Sequence, residues 1–183
     1  MKTGLAFLSM IGVLIATSTA SSTVLLPRLG PRLLVPTGLF LAAIGMVLFT
    51  GLDTHSTYAA HVLPGLLVLG VGIGLISAPA MSTATLGVDG DDAGVGSATV
   101  NTAQQVGGSL GTALLNTVAT TATTAFLAGK AASPAVAAEA AVHGYTTAFW
   151  WAAANFAAGA MVCGLLLRSR APSLQPAVEL APA

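Results

Sequence analysis

Twelve charged side chains in 183 residues leave five long uncharged intervals, and this spacing constrains the fold more than any motif in the chain. Uncharged runs of 25, 20, 35, 37 and 28 residues separate Lys2 from Arg28, Arg32 from Asp53, Asp53 from Asp89, Asp92 from Lys130, and Glu139 from Arg168. A helix rising about 1.5 Å per residue needs about 20 residues to cross about 30 Å of hydrocarbon, so each interval can hold one crossing. Charged residues are 7% of the chain and hydrophobic residues 55%. Typical soluble domains carry roughly 25% charge, so no water-facing surface can be built from this inventory. A formal net charge of zero, with no basic cluster to neutralise phosphates, excludes a nucleic-acid binder. Cys163 stands alone, which excludes a disulfide framework.

The intervals predict an all-α, polytopic transmembrane helix bundle of about five spans over residues 1–170, followed by a disordered cytoplasmic tail over 171–183. The spans fall at about 5–26, 33–51, 62–85, 94–125 and 145–167. Lipid leaves the backbone no partner but itself, and no alternating barrel pattern is present, so the crossings are helices. Pro27 and Pro31 are expected to stop the helices on either side of the first loop. Pro79 is expected to kink the third span, a kink that serves as a gate or merely fits its neighbours. The Ala-rich stretch 126–143 has room for a short helix of its own. With the N-terminus outside, Arg28, Arg32, Arg168 and Arg170 are cytoplasmic, whereas Lys2 and Lys130 are external. Retention of basic loops inside therefore favours a multi-pass plasma-membrane protein with its N-terminus out and its C-terminus in. A signal peptide cleaved near Ser18–Ala20 would put all four arginines outside, which fits that tendency poorly.

The fourth span is the most informative segment. It carries the amides Asn101, Gln104, Gln105 and Asn116 among Gly94, Gly96, Gly107, Gly108 and Gly111. Helical geometry gathers Gly94, Ser97, Asn101, Gln105, Gly108, Thr112 and Asn116 into an arc of about 100°. Such a small, polar face either packs against another helix or lines a path open to water and substrate. The candidates for either role are Ser97, Asn101, Gln104, Gln105, Gly108 and Thr112. The spacings Gly70 to Gly74 and Gly107 to Gly111 match the small-residue pattern of helix contacts.

Several motifs point to no chemistry. Gly107-Gly108-Ser109-Leu110-Gly111 has the form of a hydrolase nucleophile elbow, but that motif needs a strand-turn-helix setting and triad partners. His55 and His61 lack the spacing and company of metal ligands, and 89–92 is too short for a calcium loop. Asp92 reads as a helix N-cap and Cys163 as an apolar filler. No catalytic residue, metal or cofactor is expected, and the chain does not read as an enzyme.

The run Gly94-Val95-Gly96-Ser97-Ala98, then Asn101 through Gly111, resembles the penultimate helix of EmrB/QacA-type drug:proton antiporters, the fourteen-helix branch of the major facilitator superfamily. The loop Arg28-Leu29-Gly30-Pro31-Arg32 is similar to that superfamily's cytoplasmic signature, with Pro27 at its acidic position and Pro31 at one basic position. Arg28, Gly30 and Arg32 are the residues of that signature kept here. The resemblance covers about residues 5–170 and implies a partial major facilitator fold, the last five helices of fourteen. It implies as partners the lipid bilayer, the remaining helices of a longer transporter or a partner subunit, a small amphipathic substrate and protons. Alternating access needs two helical halves, and proton coupling needs a titratable group within the membrane, which no span centre supplies. The expected function is thus that of a C-terminal fragment of an efflux antiporter that does not transport alone. The alternative is a small independent five-span protein with a structural or subunit-interaction role, assembled through its glycine faces.

Overall fold

A computed structural model describes residues 2–54, 61–84, 88, 92–131 and 133–167, and among them every regular element is helical. The helices are α1 (Lys2–Ala20), continued by a π-helical turn (Ser21–Leu25) into α2 (Leu26–Leu29), then α3 (Pro31–Phe49), α4 (Leu63–Ala84), α5 (Ala93–Leu127) and α6 (Pro134–Leu166). They pack side by side in the order α1, α4, α3, α6, α5. Helix α1 together with α2, α3, α4 and α6 are long and apolar enough to make four membrane crossings. Helix α5 is longer than any of them but less apolar, because glycine, serine, threonine and amides replace aliphatic side chains along it.

The first loop forms differently from the expectation. Pro27 does not end its helix but follows the π-helical turn within a run that continues to Leu29. The stop is Gly30, at φ 70° and ψ 165°, a backbone region that is essentially glycine's alone. Its N–H donates to the Leu26 carbonyl at 3.0 Å, and Pro31 then starts α3 at once. The Ala-rich stretch is also a correction. From Pro134 it is continuous with α6, because the Ser133 side chain caps it by accepting from the Val136 N–H and proline suits the first helical position. At about 1.5 Å per residue α5 and α6 are each about 50 Å long, so both extend past a hydrocarbon layer of about 30 Å.

Small residues set the core. Helices α3 and α4 run antiparallel with their backbones touching: a Cβ on Gly72 would stand 2.7 Å from both the Ala42 nitrogen and the Gly38 oxygen. Gly45 meets Gly65 and Leu69 in the same way, 3.1 to 3.2 Å from their backbone atoms. The pair Gly70 and Gly74 does make a helix contact, with α1, where added Cβ atoms would lie 3.0 Å from the Met10 oxygen and 2.9 Å from the Leu14 oxygen. Ala42, Phe49, Leu66 and Leu69 form the apolar centre, and Phe149 of α6 joins it with its ring 5.3 Å from that of Phe49. On α6 the row Ala140, Gly144, Ala148 and Ala152 is buried at four-residue spacing, the ridge geometry of close helix packing. A Cβ on Gly144 would stand 2.6 Å from the Ala119 oxygen of α5. Pro79 is buried inside α4, among its neighbours.

The tail 171–183, His55 and Asp89 to Asp91 lie outside the described residues.

Candidate functional site: the open polar face of α5

Helix α5 carries five glycines between 94 and 111, and its hydroxyls stay on their own helix. Ser97, Thr99, Thr102, Ser109, Thr112, Thr117, Thr120, Thr123 and Thr124 each donate to a carbonyl three or four residues back. Such bonds satisfy the hydroxyl without a partner helix. In the hydrolase-like motif Ser109 donates to the Val106 oxygen at 2.9 Å in the middle of an unbroken helix, not in a strand-turn-helix setting. Asp92 occupies the N-cap position, but its side chain makes no capping bond. Its carboxylate still stands at the positive end of the helix dipole.

The polar face read from the sequence is divided in two by the fold. From Thr112 toward the C-terminus it lies against α6: Thr112, Leu115, Asn116 and Ala119 border a cleft of about 310 Å³ closed on the other side by Met46, Tyr145, Ala148, Phe149 and Ala152. Ala119 and Thr123 continue the contact at Gly144. Toward the N-terminus α5 leaves α6. Asn101, Gln104, Gln105 and Gly108 are exposed, and a Cβ added at Gly94, Gly107, Gly108 or Gly111 would meet nothing within 4 Å. The spacing of Gly107 and Gly111 therefore makes no helix contact among the described residues, unlike that of Gly70 and Gly74.

Ser97, Asn101 and Gln104 come together with Met81, Gly94, Ala98 and Val100 around a cleft of about 390 Å³ between the end of α4 and the start of α5. Ser97 is half-buried at its wall. Gln105 and Gly108 border neither cleft, and Thr112 belongs to the other one. Met81 was missed from the sequence, because its place at the cleft depends on how α4 and α5 approach. In the first loop Arg28 and Arg32 are both exposed, on opposite sides of the Gly30 turn. At the other end of the bundle the Lys130 ammonium lies 3.0 Å from the centre of the Phe126 ring, and that ring lies 5.0 Å from the imidazole of His143. A cation over an aromatic face is attractive, so this cluster ties the α5–α6 turn to α6. Among the described residues no group of three or more His, Cys, Asp and Glu gathers as a metal site.

The chain is similar to proteins of drug resistance and export. It is 46% identical over 171 residues to the puromycin resistance protein pur8 of Streptomyces alboniger, a match covering 92% of this chain and 34% of that protein. It is 36% identical over 87 residues to the cephamycin export protein CmcT of Amycolatopsis lactamdurans, covering 48% of this chain and 18% of that one. It is 31% identical over 111 residues to a multidrug resistance protein B homolog of Mycobacterium tuberculosis, covering 60% and 20%. No protein-family model matches the chain. These relatives bear out the resemblance to major facilitator drug exporters carried by the α5 run. The chain spans about a third of the length of the first relative and about a fifth of the others. With apolar helices long enough to cross a bilayer and exporters as relatives, it is a membrane protein.

Proposed function

We propose that the chain is the C-terminal part of a drug or metabolite efflux antiporter of the major facilitator superfamily, active only together with helices that lie outside these 183 residues. The observation that carries this reading is the bare polar face of α5. Burying an amide in hydrocarbon with no hydrogen-bond partner costs roughly 4–8 kcal/mol, so Asn101, Gln104 and Gln105 must meet protein, water or substrate. Their exposure within this bundle leaves that role to further helices and to a water-filled pathway between them. The relatives, about three to six times longer than the matched stretch, supply a natural source for such helices.

In this reading Ser97, Asn101 and Gln104 face the substrate path, and Gln105 and Gly108 meet the neighbouring helices. Thr112 belongs to the packed end of the stripe. The substrate is a small amphipathic molecule exchanged for protons, with the coupling carboxylate outside the five helices. Puromycin, named for the first relative, is the compound to try first. Cells carrying the complete exporter should tolerate it better than cells carrying only these 183 residues; equal tolerance in both would count against the proposal.

The N-terminus is outside and the C-terminus cytoplasmic, with Arg28 and Arg32 at the cytoplasmic face of the plasma membrane. A Cys163→Ser background makes the orientation measurable, since the chain has one cysteine. A membrane-impermeant maleimide should label Ser133→Cys in intact cells and should label Leu29→Cys, an exposed position beside the Gly30 turn, only after lysis. The reverse pattern would invert the topology.

A further inference from the structure

We infer that Ser21 is a hydrogen-bond latch on α4 at Pro79, coupling α1 to the end of α4 that borders the α5 cleft. Proline has no N–H, so the carbonyl four residues earlier, Leu75, loses its partner in the helix ladder. In a membrane interior that carbonyl has no water to turn to. Ser21 fills the gap: its hydroxyl donates to the Leu75 oxygen at 3.2 Å across 54 residues of chain. Both Ser21 and Pro79 are almost fully buried.

The neighbours of Ser21 show that this is not the default for a hydroxyl there. Thr19, Ser22 and Thr23 each bond back to a carbonyl of their own helix. Ser21 instead begins the π-helical turn, in which the Leu26 N–H reaches the Ser21 oxygen. The approach is made possible by Gly74, where an added Cβ would stand 2.8 Å from the Thr17 Cβ and 3.1 Å from the Ser18 nitrogen. Helix α1 thus rides on the backbone of α4 one turn before the proline, which brings Ser21 within reach of Leu75. Beyond Pro79, α4 carries Met81, which lines the cleft with Ser97, Asn101 and Gln104. While the latch is closed, α1 and α4 move together and Met81 keeps its place; when it opens, the orphaned Leu75 carbonyl lets α4 bend further at Pro79. The consequence for transport rests on the function proposed above, but the latch does not.

A double-mutant cycle on this chain tests it without any transport measurement. In detergent or bicelles Ser21→Ala should lower the folding equilibrium constant about threefold, and at most about twentyfold, the range of single hydrogen bonds between membrane helices. In a Pro79→Ala background the restored N–H takes the Leu75 carbonyl, and Ser21→Ala should then change little. An equal loss in both backgrounds would overturn the latch. Maleimide labelling of Met81→Cys in membranes, with Cys163→Ser, gives a second readout that needs no unfolding. Ser21→Ala should speed labelling several-fold with Pro79 present and leave it unchanged with Pro79→Ala. A labelling rate indifferent to Ser21 in both would also overturn it.

Discussion

Gly72→Leu should separate α3 from α4 and abolish the folded bundle. The reason is geometric. Even the first carbon of a side chain at 72 would stand 2.7 Å from the Ala42 nitrogen and the Gly38 oxygen, and both are backbone atoms that cannot turn aside. Gly38 is equally close in return, with an added Cβ 2.7 Å from the Gly72 oxygen. Leucine would wedge the helices apart and open the cluster of Ala42, Phe49, Leu66 and Leu69 that lies between them. Gly72→Ala gives the graded form of the same effect, at the roughly 1–3 kcal/mol typical of an overpacked core. Gly107→Ala is the matched control, since nothing lies within 4 Å of a Cβ there. Unfolding in mixed micelles should rank Gly107→Ala at or slightly above the wild type, where alanine's helix preference meets no clash, then Gly72→Ala, then Gly72→Leu. If Gly72→Leu unfolds like the wild type, the α3–α4 interface is not as described.

Asn101→Leu combined with Gln105→Leu should divide its effect between the two settings of the chain. Both side chains are exposed in this bundle, so the double variant should leave the unfolding of the 183 residues nearly unchanged. On the function proposed above, the same two amides would face other helices and the substrate path in a complete exporter. There the double variant should reduce export about tenfold or more, the effect of losing roughly 1.4 kcal/mol of interaction, while insertion and protein level stay normal. Dye efflux at matched expression measures the second arm. Unchanged export would leave these amides a packing role only. A large loss of stability in the chain alone would mean that its own helices already cover them.

The helices were legible because hydrocarbon tolerates so little charge. Five uncharged intervals located the five long helical stretches, and the polar composition of the fourth marked the helix that is not covered all round. Local chemistry decided the remaining boundaries. Pro27 looked like a stop, but the helix continues past it through the π-helical turn to Leu29, and Gly30 with its positive φ was the true break. The start of α6 at Pro134 was written in Ser133-Pro134, a cap followed by a favoured first residue, eleven positions before the last span was expected to begin. Glycine spacing alone could not separate a contact from an open face. Gly70 and Gly74 touch α1 whereas Gly107 and Gly111, at the same spacing, touch nothing described. The tighter α3–α4 contact was also in the sequence, as Gly38 and Gly45 facing Gly72 and Gly65, each pair seven residues apart. Ser21 and Met81 were out of reach, because their partners lie in helices whose approach no local pattern specifies.

Proton-driven uptake of ethidium into proteoliposomes tests most directly whether this bundle is one part of an exporter. Two preparations should be compared at equal protein: the 183-residue chain alone, and the complex or longer polypeptide captured from native membranes with an antibody to the chain. Gradient-dependent uptake in the second and none in the first is the expected result. Transport by the 183 residues alone would contradict it, as would a captured species that contains no further membrane helices yet moves the dye.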